Sequence, residues 1–381
     1  MSLFHYFITY NIIILIYLWF RYFPIILYDK PKYTDYIGEN SVTVIIPSFN
    51  EKYEEILETV QHAKLCEEAK QIIVVDDGSD DLETVKKISR IDGIEFYRLP
   101  KNKGKRHAQK VGFNNAKYDI IVTLDSDTNL VENSIHEILK PFNDKKIGAV
   151  TGMSYAKNPN ENLLTRLIDA RYNSAFKIER YGQSFFGTVV CCCGSFSAYR
   201  KIIIDNLEDK YINQHFLGYP CNFGDDRHLT NLMLEQGHKI VFYEEAKAYT
   251  TVPNNMKQFL KQQLRWSQSF FRENFITMKY MFKRSKYLTM DVILSALLPS
   301  FSLIARVYMV YSVIVYPELI LYYILMVFSI ASIRNLTIIE TKKQFWYYGL
   351  YGFLHNFVLY WLYFIAIWKV LVQKDFNWGT R

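Results

Sequence analysis

The chain has 381 residues, of which 50% are hydrophobic, 17% aromatic and 22% charged. It is too long and too apolar for a lone small binding module or a disordered segment. Its 45 Lys and Arg against 38 Asp and Glu leave a net charge of +7, which cytoplasmic flanks of a membrane protein account for and an anionic substrate would suit; nucleic acid is not required.

Residues 3–28 are apolar apart from Arg21, long enough for a bilayer span of ~20 residues. They lack a charged leader and a small-residue cleavage site, which predicts a retained anchor rather than a removable signal peptide. Arg21, Lys30 and Lys32 then place the central region of the chain on the cytoplasmic side. Strand-like runs at 42–47, 72–75 and 120–124 alternate with helix-like stretches at 51–67 and 82–91, the pattern of a parallel sheet with crossover helices.

Each strand runs into polar residues: Ser48 to Glu51 after the first, Asp76 to Ser79 after the second, Asp125 to Asp127 after the third. In open α/β sheets the binding crevice lies outside the carboxyl ends of the strands, so these segments should converge. Asp and Asn also cap helices, but two strand ends carrying paired carboxylates favour a site. Grouped carboxylates repel one another unless a cation sits among them, and hard oxygen donors suit Mg2+ or Mn2+. Asp125-Ser126-Asp127 therefore reads as a metal-diphosphate site. A Gly-rich phosphate loop ending in Lys-Ser/Thr is missing, which counts against an ATPase or kinase.

The five cysteines, Cys66, Cys191, Cys192, Cys193 and Cys221, include no C-x-x-C pair. In a reducing cytoplasm no disulfide is expected, and the three consecutive ones read as small packing residues rather than zinc ligands. Gly224-Asp225-Asp226-Arg227 precedes an amphipathic stretch and marks a helix start; either carboxylate could take the proton of an acceptor hydroxyl or merely cap the helix. Gln262, Arg265 and Trp266 offer an amide, a bidentate donor for a diphosphate and an indole for a sugar face, although an amphipathic helix with a snorkelling Arg reads the same way. Residues 292–316, 318–333 and 346–372 form a hydrophobic tail with Arg306 inside it, facing either a bundle interior or the flank of a shorter span.

Taken together, PSFNE (47–51), VVDDGS (74–79), KNKGKRHAQ (101–109), DSDT (125–128), GDDRHLT (224–230), QQLRW (262–266) and WGTR (378–381) resemble, in that order, the motifs of processive membrane glycosyltransferases with a GT-A fold. The resemblance is strongest to bacterial hyaluronan synthases and extends to chito-oligosaccharide and chitin synthases. It implies an α/β class: a GT-A, Rossmann-like mixed-sheet cytosolic domain with N- and C-terminal transmembrane helices. The implied organisation is an anchor at 1–30, the GT-A domain at 40–255, interface helices at 256–291, and a membrane tail at 292–381 that ends in a gating segment.

Carried over residue by residue, the resemblance implies that Asp76 and Asp77 hold uridine and ribose, with Pro47 and Glu51 nearby, and that Lys103 and Arg106 face the nucleotide. Asp127 would be the main metal ligand, supported by Asp125, and Asp226 the general base beside Asp225. Gln262 belongs to the same catalytic group, Arg265 and Arg381 would contact the diphosphate, and Trp266 and Trp378 would form the acceptor entrance and gate. Cys193 and Gly194 would lie near the acceptor sugar. The implied reaction is inverting polymerisation of hyaluronan from UDP-GlcNAc and UDP-GlcA with Mg2+ or Mn2+, the growing polysaccharide leaving across the lipid bilayer of the cell membrane.

The Cys-Cys-Cys-Gly run at 191–194 is a feature of the chito-oligosaccharide synthases, so a chitin-type product from UDP-GlcNAc alone stays open. A polyprenyl-phosphate sugar transferase would need neither QQLRW nor WGTR, and an inactive scaffold would have lost the carboxylates. Because WGTR must reach a cytosolic nucleotide, an even number of crossings is expected, with one hydrophobic stretch lying in the interface or folding back and the basic loop at 334–343 on the cytoplasmic side.

Overall fold

The computed structural model describes residues 3–27 and 29–373. They divide into two units, one drawn from residues 31–158 and 183–252 with a short C-terminal piece, the other from residues 1–30, 159–182 and 253–368.

The first unit is built on strands β1 (Val42–Ser48), β2 (Ala69–Asp76), β3 (Glu95–Arg98), β4 (Ile120–Leu124), β5 (Thr128–Leu130), β6 (Ile147–Ala156), β7 (Phe196–Arg200), β8 (His215–Phe216), β9 (Tyr219–Pro220) and β10 (Lys239–Thr250). Eight form one sheet in the order β3-β2-β1-β4-β7-β6-β10-β5, and β8 and β9 make a separate hairpin. Its first half is the parallel sheet that the alternation predicts: β1 pairs with both β2 and β4 in parallel, and β2 with β3. Val44, Ile46, Val74 and Val122 are completely buried, as continuous apolar strands covered on both faces should be. The third strand matches 120–124 in both bounds.

The helix after β1 begins later than the apolar spacing predicts, at Tyr53 rather than 51. Asn50 has a positive φ of 52° and is tied to the loop after β2, its backbone N–H donating to Ser79 Oγ at 2.8 Å and its side chain exchanging bonds with Asp80 at 2.9 and 3.0 Å. The chain cannot turn helical until it clears that knot.

The second half of the sheet is mixed. β7 runs antiparallel between β4 and β6, and the pairing of Leu124 with Phe196 puts the turn before β7 beside the residues that follow β4. β10 pairs with β6 in parallel and with β5 in antiparallel, opposing Thr250 to Thr128. These reversals bring three further segments to the edge where the parallel strands end.

The second unit is helical. Helices Lys286–Val315 and Lys342–Val372 are long and apolar enough to cross a membrane, and Leu319–Ile333, with 15 residues, is shorter than that. Leu319–Ile333 lies against Lys342–Leu354, where Gly349 and Gly352 face Phe328 and Ala331. Arg306 turns inward, donating to Asn356 Oδ1 at 2.6 Å and lying 3.5 Å from the Tyr360 ring centroid. The segment Ala175–Arg180 is π-helical, and its Glu179 accepts from Arg171 at 2.9 and 3.3 Å and from Arg334 at 2.9 Å, with Arg21 at 3.6 Å. Arg21 also donates to Asp291 at 2.7 Å.

Candidate active site

The carboxyl ends of β1, β2 and β4 carry the acidic segments, and hydrogen bonds knit them together. Ser48 O accepts from Asp77 N at 2.8 Å, and Asn50 clips the first loop to the second. Pro47 closes β1 inside the buried sheet, and Glu51 follows the knot at partial exposure. Asp76 is buried against its own turn, accepting from Ser79 N at 3.1 Å and from Ser79 Oγ, with Arg98 Nε at 3.4 Å. Asp77 uses both carboxylate oxygens as a clamp, accepting from Lys103 N at 2.9 Å and Gly104 N at 2.8 Å. Burial pushes its carboxyl up, against the pull of those two N–H donors.

That clamp fixes the start of helix Lys105–Asn115. Lys105 Nζ lies 2.5 Å from Asp125 Oδ1 and 3.5 Å from Asp225 Oδ2. Burial disfavours an ammonium there, but Asp125 and Asp225 more than offset it and hold the charge firmly on the nitrogen. Arg106 turns the other way: buried, it donates to Tyr211 O at 3.3 Å, Gln214 Oε1 at 2.6 Å and Phe223 O at 3.2 Å. Its guanidinium thus closes the base of the β8–β9 segment, whereas the resemblance turns it toward a nucleotide. The sequence does not single out Lys105, because in Lys-Asn-Lys-Gly-Lys-Arg only the phase of the helix tells which cation points inward.

Asp127 accepts from Thr250 Oγ1 at 3.2 Å. Burial and the neighbouring Asp125 charge, with a smaller contribution from Glu55, push its carboxyl up to about 7. Among the described residues no group of three or more His, Cys, Asp or Glu is arranged to hold a metal. The crowding around Asp125 and Asp127 nevertheless fits a divalent cation that takes one or two protein carboxylates and completes its shell with substrate phosphates and water.

Gly224 has φ +74°, a conformation that costs an L-residue with a Cβ, and it turns the chain into helix Asp225–Glu235 with both carboxylates in the first turn. Asp226 Oδ1 accepts from Arg227 N at 2.7 Å and Oδ2 from the Cys191 thiol at 3.4 Å. Burial and then Asp225 push the Asp226 carboxyl up, and Lys105 opposes them. Cys193 N donates to Thr151 Oγ1 at 3.2 Å. A Cβ built on Gly194 would lie 2.8 Å from Lys105 Nζ and 3.2 Å from Asp125 Oδ1. Asp77, Asp125, Gly194, Asp225 and Asp226 are therefore joined by one run of contacts.

In the helical unit, Gln262, Arg265 and Trp266 share one side of helix Met256–Met278. Gln262 and Arg265 are half-buried, and Trp266 is exposed with its ring 6.4 Å from Tyr172. Trp378 and Arg381 lie outside the described residues.

A glycosyl transferase family 2 domain matches residues 43–207. Hyaluronan synthase from Streptococcus pyogenes is 36% identical over 98% of this chain and 90% of its own length. An N-acetylglucosaminyltransferase of Bradyrhizobium diazoefficiens is 39% identical over 66% of this chain and 53% of its own. Among solved structures, a mannosyltransferase from Pyrobaculum calidifontis, in complex with GDP-Man and Mn2+, superposes with a TM-score of 0.65 at 17% identity, covering 96% of this chain and 97% of that one; the fold is the GT-A arrangement. With a sheet of that topology, acidic strand ends drawn to one edge and a relative matched along almost its whole length, the chain belongs to glycosyl transferase family 2, alongside the hyaluronan synthases.

Proposed function

We propose that this chain is a processive, inverting hexosyltransferase of the membrane that polymerises hyaluronan from UDP-GlcNAc and UDP-GlcA. The observation that carries the reading is the contact run from Asp77 through Lys105 and Asp125 to Asp225 and Asp226, in a chain 36% identical to a hyaluronan synthase over 98% of its length. Asp226 accepts the acceptor hydroxyl proton, the freed oxygen attacks the anomeric carbon of the donor, and UDP departs from the opposite face in a single displacement. A carboxyl whose proton affinity is raised is a stronger base than an exposed Asp, which suits that task. Asp127, with Asp125, would hold Mg2+ or Mn2+, which when bound neutralises charge on the leaving diphosphate. By the resemblance, Arg265 and Arg381 would contact the same diphosphate, Gln262 would belong to the same catalytic group, and Trp266 and Trp378 would form the acceptor entrance and gate.

By the limits that the motifs give, the GT-A domain at 40–255 would lie in the cytosol, with the anchor at 1–30 and the tail at 292–381 in the membrane and the helices at 256–291 along its interface. A chitin-type synthase using UDP-GlcNAc alone is the second reading, and the Cys191–Gly194 run beside Asp226 favours it. Membranes carrying the protein, incubated with each donor alone and then with both, separate the two. Polymer formed only with both donors and degraded by hyaluronidase supports hyaluronan; polymer from UDP-GlcNAc alone overturns it.

A further inference from the structure

Two corners of this site have to be held at a set distance: the Asp125–Asp127 corner, where the donor diphosphate would lie, and the Asp225–Asp226 corner, which bears the base. They come from segments about a hundred residues apart, one at the end of a strand and one at the start of a helix. Lys105 bridges them, with Asp125 at 2.5 Å and Asp225 at 3.5 Å from one ammonium. The Lys105 side chain is 19% exposed and that of Asp225 7%, against 35% for Asp125, so the Asp225 leg is the better shielded from water.

Its root is held as firmly as its tip. Asp77 clamps the two N–H groups just before it, and the next residue, Arg106, is tied to Tyr211, Gln214 and Phe223, on the segment that leads into Gly224. Two consecutive cations at one helix start thus grip the 211–226 segment, one at its hairpin base and one at its acidic end. The room for the ammonium is made by a missing side chain, since a Cβ on Gly194 would stand 2.8 Å from Nζ.

We infer that Lys105 is a positioning residue for the transfer reaction: it ties the base-bearing helix start to the donor corner, its tip lying in space that Gly194 leaves open. The inference rests on the proposed reaction and gives a task to a residue to which that reading assigns none. The shift of a reacting group by about 1 Å can cost about 100-fold in rate, so loss of the bridge falls on the chemical step while the uridine pocket keeps its own ties.

The test uses full-length protein in membranes with Lys105→Met, Gly194→Ala and the double variant. Lys105→Met is expected to lower kcat about 100-fold, with the donor KM and the affinity for UDP, measured by titration calorimetry, near wild type. Gly194→Ala, which keeps the lysine but displaces it, should lose kcat in the same sense, and the double variant should be no slower than Lys105→Met, because both remove one bridge. Wild-type kcat in Lys105→Met, loss of UDP affinity that matches the loss of rate, or multiplication of the two effects in the double variant would each overturn the inference. If Lys105→Met does not fold, the kcat of Gly194→Ala alone decides, wild-type turnover counting against the bridge. Failure of the wild-type protein to make polymer from any UDP-sugar would sink the reaction itself; a wild type that polymerises beside variants that do so equally well sinks only the role of Lys105.

Discussion

Asp226 and Asp127 are both acids made reluctant to ionise, and the proposed reaction gives them different tasks. Asp226 is pushed up by burial and Asp225 and restrained by Lys105, which suits a group that must take a proton and release it again. Asp226→Asn should abolish polymer formation while UDP affinity stays within a few-fold, since the uridine side of the site does not use it; near wild-type synthesis by that variant would remove it as the base. Burial first, then the charge of Asp125 and to a smaller degree that of Glu55, push the Asp127 carboxyl up to about 7. A carboxyl raised in the folded state withdraws stability as pH climbs from its unfolded value near 3.8 to about 7. Asp127→Asn is therefore expected to melt at or above the wild-type temperature at pH 8 without added cation and, with the proposed metal ligand gone, to gain less from added Mn2+ than the wild type does. Calorimetric scans with and without Mn2+ check both. The gathering of acidic segments at the strand ends was legible because each follows its strand directly in the chain, whereas the directions that Lys105 and Arg106 take depend on helix phase.

Among the secondary elements, the π-helical turn Ala175–Arg180 draws three guanidiniums from three other segments onto one carboxylate. Burial works against a charge at Glu179, yet Arg171, Arg21 and Arg334 outweigh it and keep the carboxyl well below its ordinary range. For an acid held low, the contribution to stability is present at neutral pH and is lost only in strong acid. Replacing it leaves the buried Arg21 and the partly buried Arg171 and Arg334 without their shared partner, so Glu179→Gln should cost about 1–3 kcal/mol and lower the melting temperature of the detergent-solubilised protein. An unchanged melting curve would show the cluster to be energetically idle. Nothing in residues 175–180 announces this hub, because its partners at Arg21 and Arg334 are far away in the chain and each reads alone as a flank of a span.

For the molecule as a whole, the described residues of the helical unit contain two stretches long and apolar enough to cross a membrane and two shorter apolar ones, Ile16–Leu27 and Leu319–Ile333. An even number of crossings after the cytosolic domain would follow if Leu319–Ile333 lay in the interface or turned back. A single cysteine introduced between 334 and 343 should then resist an impermeant maleimide in intact cells and react once the membrane is opened; labelling from outside would reverse the orientation.

The parallel half of the sheet and its acidic ends could be read from residues 42–127 because each signal there is local: strands announce themselves by apolar runs, and chemistry by carboxylates placed just after them. The antiparallel insertion of β7, the pairing of β10 with β5, and the meeting of Lys105, Gly194 and Asp225 could not. Such contacts join segments distant in the chain, and their free energy comes from shared burial and opposite charge that exist only once the sheet has closed.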